Sequence, residues 1–178
     1  MVKQLVMQER YRFTWTDLGD IDEGRPHLGP MLPVAVYRLM QYTMKEILEA
    51  EFGAEKTGRI FIEAGRRAGQ EFCNNVLNPS LKPDAFLAQL QSKLRELAIA
   101  IMRLERVDLE NMEIFLNVAE DLDCSGLPCT NEVVCQYDEG FIAGIFEAYT
   151  GRPYVAKEID CWASGDRVCR FQVKKAKP

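Results

Sequence analysis

The chain has 178 residues, 47% of them hydrophobic and 28% charged, with a formal charge of -5. That is enough chain for one globular domain with its own core, and the acidic balance runs against the basic footprint that nucleic acid or anionic lipid requires. No apolar run reaches the roughly 18 residues of a membrane span, and the opening MVKQLVMQERYRF turns charged too soon for a signal peptide, so the expected location is the cytoplasm.

In chain order, residues 1–30 mix polar, aromatic and turn-forming types and are read as an N-terminal segment, one that could cross a dimer; residues 31–178 form the domain proper. The Gly and Pro of GRPHLGPMLP mark a loop. A helix follows from Val34 to Glu51, where Val36, Leu39, Met40, Met44, Ile47 and Leu48 recur at helical spacing, Pro33 suits the first turn and Gly53 stops it. A second helix is expected from about Glu55 to Val76. It contains Gly58, Gly65 and Gly69, each costing roughly 1 kcal/mol against alanine, so close approach of another helix or of a ligand must compensate. After the Asn78, Pro79 and Pro83 loop, Asp84 is placed to cap a third helix carrying Phe86, Leu87, Leu90, Leu94 and Leu97.

The texture then changes. AIMRLERVDL and NMEIFLNVAED read as a hairpin with its turn near Glu110 and Asn111. A Cys-containing loop leads to a helix from about Asp138 to Tyr149, closed by Gly151, and then to two strands, PYVAKEIDCW and RVCRFQVKK, joined through ASGD. Helices, hairpin, helix and hairpin in that order make an α+β domain with an antiparallel sheet.

Five of the six cysteines lie in the last third of the chain, a clustering that in a reducing compartment favours metal or redox chemistry over disulfides. The ASGD turn brings Cys161 and Cys169 together, Glu158 shares a strand with Cys161, and Cys135 precedes a helix N-terminus that favours a thiolate. Thiolates and a carboxylate suit tetrahedral zinc. Residues three apart on a regular strand face opposite ways, however, so Glu158 and Cys161 can share a metal only across a bulge. Buried, unreactive thiols are the competing reading. Cys124 and Cys129 form a second pair, able to replace a ligand, to act in redox chemistry or to pack in the core; Cys73, beside Phe72, reads as core.

The segment CQYDEGFIAGIFEAYTGRPYVAKEIDCWASGDRVCRF resembles the 4-vinyl-reductase domain family of predicted hydrocarbon-binding proteins, strongly over residues 129 to 173 and more loosely through the helix bearing Gly65 and Gly69. The resemblance implies a dimeric α+β fold shared with vesicle-tethering TRAPP subunits. From the phenol- and toluene-responsive activators of the family it implies structural zinc on Cys135, Glu158, Cys161 and Cys169. Two departures limit what carries over. The ATPase and DNA-binding domains of the activators have no counterpart in this chain, and its single histidine, His27, lies in an N-terminal loop, so phenol recognition through histidine does not transfer.

No GxGxxG after a strand and no phosphate loop is present, and one histidine leaves no HExxH site. The leading expectation is therefore a sensor or carrier for a small apolar or aromatic ligand, with Tyr37, Met40, Met44, Phe61, Phe72, Met112, Phe115 and Phe141 as lining candidates against the reading that they are simply core. Two other functions compete with it: a protein-interaction adaptor without ligand, and an enzyme or assembly factor in 4-vinyl reduction of a tetrapyrrole.

Overall fold

The computed structural model describes residues 11–108 and 113–176, which leaves the hairpin turn at Glu110 and Asn111, together with Met112 and Lys177, outside the described residues. The chain forms two compact units, Met1–Met31 and Leu32–Pro178. In the first, a turn of 3-10 helix at Trp15–Leu18 is followed by α1 (Ile21–Gly24), capped where Asp20 accepts the Glu23 N–H at 2.8 Å. His27 lies exposed in the turn that follows.

The second unit holds α2 (Val34–Phe52), α3 (Ala54–Val76), α4 (Pro83–Glu96), β1 (Ile101–Asp108), β2 (Glu113–Ala119), α5 (Gln136–Thr150), β3 (Tyr154–Asp160) and β4 (Cys169–Lys175). These elements match the expected ones in kind and order. The four strands form one antiparallel sheet in the order β1-β2-β4-β3. Phe86, Leu90, Leu116, Ile145, Phe171 and Val173 are fully buried between the sheet and the helices.

The local signals explain most boundaries. Gly53, at φ 78°, separates α2 from α3, and Gly151, at φ 67°, ends α5 in the left-handed conformation open to glycine. Two details differ from expectation. Pro33 is the N-cap of α2 rather than part of its first turn, and α4 begins at Pro83 with Lys82 as N-cap, so Asp84 sits inside the first turn and acts on the helix dipole rather than as a cap.

Helix α2 is the larger correction. Its apolar repeat announces the helix but does not face the core: Val36, Leu39, Met40, Met44 and Ile47 are all more than half exposed. The half-buried face carries Tyr37, Arg38, Gln41, Tyr42 and Lys45, because its anchors are hydrogen bonds to the loop after β2 rather than apolar contacts. The basic clusters read from the sequence are held in ion pairs. Arg66 meets Glu147 and Glu63, Arg67 meets Glu63 at 3.6 Å, and Lys174 meets Glu113 at 3.9 Å.

The glycines of α3 have their compensation in another helix. A Cβ at Gly65 would collide with the carbonyl of Tyr137, and one at Gly69 with that of Phe141. Reciprocally, Gly140 of α5 is pressed against the Ile62 carbonyl and Gly144 against that of Arg66. Two backbones therefore touch where side chains would normally separate them. Gly58 is different, with only Gln136 Cγ 3.7 Å from where its Cβ would be. In urea unfolding, Gly69→Ala or Gly140→Ala is expected to cost about 3 kcal/mol or more, at the upper end of overpacking effects. Gly58→Ala is expected to stabilise by up to about 1 kcal/mol. Equal effects at the three sites would show that the crossing is not close.

Candidate functional site

Four segments deliver cysteines to one point. Cys169 opens β4 opposite Val118 of β2, and Cys135 is the N-cap of α5. Cys161 ends the β3 run and caps a 3-10 turn, Trp162–Ser164, in which its N–H donates to Ser164 Oγ at 3.1 Å and its carbonyl accepts from the N–H groups of Ser164 and Asp166, each at 3.1 Å. Cys124 arrives from the loop after β2, where Asp121 Oδ1 accepts the N–H groups of Asp123 (2.7 Å) and Cys124 (3.1 Å) and sets the turn. All four thiols are buried, and their sulfurs lie within 4.8 Å of one another.

Cys124 Sγ is 3.1 Å from Cys169 Sγ, while Cys135 Sγ is 3.9 Å from Cys161 Sγ and 4.0 Å from Cys169 Sγ. A disulfide needs about 2.05 Å. Zinc bound at about 2.3 Å would place sulfurs roughly 3.8 Å apart at the corners of a tetrahedron. The chemistry and the spacing of the donors therefore fit a closed four-thiolate metal shell. Crowding also polarises the group: hydrogen bonds from Cys124, Cys135 and Cys169 push the Cys161 thiol far down, while Cys135 and Cys169, led by their contact with Cys124, are pushed up.

Glu158 stands beside this cluster. Its Oε2 accepts the Cys135 N–H at 3.1 Å, and its buried Oε1 has no partner among the described residues. Burial first, and the Cys161 charge second, raise its carboxyl to about 8. The bulge that would let Glu158 and Cys161 turn to one side is present, since the β3–β4 register shifts between Glu158 and Asp160. Ile159, between them, points out at 41% exposure. The backbone at Glu158 is held by Glu139 of α5, whose Oε1 accepts the Glu158 N–H at 3.0 Å and Lys157 Nζ at 2.7 Å.

The two further cysteines read as a pair are thus split. Cys124 is inside the thiol cluster, and Cys129 is exposed, its sulfur 3.9 Å from Asn131 Oδ1. Cys73 is buried in the core. The loop between Cys124 and Cys135 is fastened to the 3-10 turn by Thr130 and Asn131, whose N–H groups reach the Ala163 carbonyl at 2.8 and 3.0 Å, and Trp162 Nε1 donates to the Leu127 carbonyl at 3.1 Å. Trp162 thus ties the loop down over the site, as a packing lid would.

Beside the cluster is a cavity of about 210 Å³. Phe72, Leu94, Ile99, Met102, Phe141 and Phe171 give it apolar walls, while Tyr37, Asp121, Asp123, Tyr137 and Asp138 line its other parts. Of the sequence candidates, Tyr37, Phe72 and Phe141 meet here. Met40 and Met44 face solvent from α2, and Phe61 lines a separate polar groove with Lys45, Glu49 and Thr57. Phe115 packs beneath the Arg106 guanidinium, 4.3 Å from ring to cation, because the strand's alternation turns it away from Leu116 and Val118.

Sequence reasoning missed the carboxylates. Asp121, Asp123 and Asp138 read as loop and helix-start acids, yet Asp121 and Asp123 are buried. Burial pushes Asp121 up to about 6, with the Asp123 charge adding to it, and drives Asp138 well above the carboxylate range. The spacing DLDC, two acids leading into a cysteine, was the available signal.

Residues 114–175 match the family model of the 4-vinyl-reductase domain, so the resemblance read from the sequence holds over the stretch carrying all four clustered cysteines. Uncharacterized protein MJ0150 of Methanocaldococcus jannaschii is 26% identical over 161 residues, covering 89% of this chain and 86% of that protein. Three solved structures share the fold. One is the phenol-responsive sensory domain of the transcription activator PoxR with phenol (TM-score 0.63, 15% identity, 82% of this chain and 76% of that one). A vinyl-4-reductase family protein from Methanocaldococcus jannaschii has TM-score 0.63 at 12% identity over 96% and 99% of the two chains. The third is trafficking protein particle complex subunit 3 from Naegleria fowleri, covalently bound to palmitic acid (TM-score 0.65, 9% identity, 81% and 95%). The expected fold, helices on an antiparallel sheet of TRAPP-subunit type, is the one observed.

Cys129 is the one exposed cysteine and the other five are buried. A thiol reagent added to the native protein is expected to label one cysteine promptly, and Cys129→Ser to abolish that reaction, with five more thiols released by denaturant. Rapid labelling of several thiols in the folded protein would contradict the cluster's burial.

Proposed function

We propose that this domain of 4-vinyl-reductase type is a small-molecule sensor or carrier, stiffened by one structural zinc, that takes an apolar or aromatic ligand in the cavity beside the metal. The observation that carries the reading is the adjacency of a closed set of buried thiols to a cavity with mostly apolar walls. The phenol bound by the PoxR sensory domain, which shares the fold, agrees with it.

Cys124, Cys135, Cys161 and Cys169 would hold the metal. The family resemblance points to Glu158 as the fourth ligand instead of Cys124; here Glu158 Oε2 is engaged by the Cys135 N–H, while Cys124 Sγ is within reach of the other three sulfurs. Glu158, held neutral by burial, is then an outer partner that steadies the Cys135 turn and donates to a sulfur. A shell of four thiolates leaves no open position, so the zinc supplies cross-linking rather than Lewis-acid chemistry. Asp138, Glu139, Glu158 and the thiols together concentrate negative charge at the start of α5, which a divalent cation would neutralise.

The exposed apolar stripe of α2, with Leu39 at 67% and Ile47 at 63%, supports a homodimer built on that helix, in preference to an adaptor that binds other proteins there.

Metal analysis of the purified chain is expected to give one zinc per chain. Cys124→Ser should lose it together with thermal stability, whereas Glu158→Gln should keep it with about 10–100-fold weaker affinity. Absence of zinc would end the metal reading, and the reverse ranking of the two variants would return the fourth place to Glu158. Sedimentation is expected to find a dimer that Leu39→Glu with Ile47→Glu converts to monomer; a wild-type monomer would remove the dimer.

A further inference from the structure

The polar lining of the cavity is rich in acceptors that lack donors. Asp123 is 3% exposed; its Oδ1 accepts the Tyr37 hydroxyl at 2.8 Å, and its buried Oδ2 has no partner among the described residues even with Gln41 beside it. Asp138 likewise has a buried Oδ2 with no partner among them. Carboxyl oxygens of Asp121 and Asp138 lie within 4.8 Å of each other. Three carboxyl groups thus share one cavity, and the cation on the adjoining helix is already used. Arg38 spends its Nε on the Leu122 carbonyl at 2.8 Å and its Nη2 on those of Asp121 and Ser125 at 3.2 and 2.9 Å.

Buried oxygens without donors cost free energy of order 1–3 kcal/mol each, a cost that a ligand with matching donors removes. An ammonium group carries three donors and no acceptor, and two carboxylate oxygens less than 4.8 Å apart can both reach one nitrogen. The rings of Tyr37, Tyr137 and Phe141 line the same cavity and offer faces that attract a cation. A divalent metal is a poorer occupant, since it wants six or more oxygen ligands, whereas Asp121 Oδ1 is committed to two backbone N–H groups and the remaining wall is largely hydrocarbon. A carboxylate or phenolate would meet like charge. At about 210 Å³ the cavity lies below the usual range for drug-sized ligands, which limits the apolar part to one ring with a short chain or its aliphatic equivalent.

We propose that the cavity selects a small amphiphilic amine, burying its apolar body among Phe72, Leu94, Met102 and Phe141 and seating its ammonium group between Asp123 and Asp138. The assignment rests on the cavity being the ligand site argued above and narrows the ligand from any apolar molecule to one with a cationic, hydrogen-bond-donating head. The thiol cluster adjoining the same acids reinforces the preference, because a shell of four thiolates around a divalent ion still bears net negative charge.

Calorimetric titration of the metal-loaded protein with phenethylamine, phenethyl alcohol, propylbenzene and hydrocinnamate tests this. The amine is expected to bind at least ~10-fold more tightly than the alcohol or the hydrocarbon, with the carboxylate weakest. Asp138→Asn, and separately Asp123→Asn, should erase that preference while the alcohol keeps its affinity; the wild-type ranking stands as evidence should either variant fold poorly. Equal or tighter binding of the alcohol or propylbenzene would overturn the ammonium assignment and leave the cavity reading intact. Binding of none of the four would overturn both. Uptake of a second metal ion that Asp138→Asn abolishes would overturn the amine in favour of a cation site.

Discussion

Everything at the site depends on how closely α3 and α5 approach. Four glycines, Gly65 and Gly69 on one helix and Gly140 and Gly144 on the other, let backbone lie on backbone. Helix α5 carries Cys135 at its cap and Asp138, Glu139, Phe141 and Ile142 in its first turns, so its depth in the fold sets the position of the thiol cluster, the grip on β3 and one wall of the cavity together. Beyond this crossing, Glu147 of α5 accepts from Arg66 and from Gln70 Nε2 (3.0 Å) on α3 and from the Tyr154 N–H (3.1 Å) on β3. The helix pair and the sheet are thereby fastened at both ends of α5.

Much of this is legible in the residues because the signals are local. Helical spacing, Gly53 and Gly151 as stops, and the paired strands around ASGD mark the elements and most of their boundaries. The glycines of α3 demand a close neighbour, and even the bulge between Glu158 and Asp160 follows from asking two residues three apart to turn to one side. What is not legible is long-range. Apolar periodicity on α2 says that a helix forms but not which face is covered; here Tyr37, Arg38 and Tyr42 tie it to carbonyls and a carboxylate more than 80 residues away. The same holds for Cys124. Its sequence neighbour Cys129 looks like its partner, whereas chain reversal through β2 and β4 makes Cys169, 45 residues on, the sulfur it meets at 3.1 Å.

The acids beside the cavity illustrate a second limit. Asp138 and Glu139 occupy positions where any helix benefits from negative charge, so nothing in their spacing distinguishes dipole compensation from a buried role. Their neighbours decide. Glu139 finds Lys157 and a strand N–H, while the charges that act on Asp138 are those of other acids and a thiol. Two adjacent residues of one type thus divide between holding the fold and waiting for a ligand, and only the surrounding backbone separates them.

The sheet order has a consequence for how this chain is made. In β1-β2-β4-β3 the last strand in sequence lies inside the sheet, between β2 and β3. While the chain emerges from the ribosome, the β1–β2 hairpin and α3 with α5 can form, but β2 and β3 each present an open edge until β4 arrives. Cys169, at its start, is also the last of the four thiols to be synthesised. The sheet and the thiol cluster therefore close in the same late event, so a nascent chain paused before Cys169 leaves two sticky strand edges and three unassembled thiols for chaperones to guard.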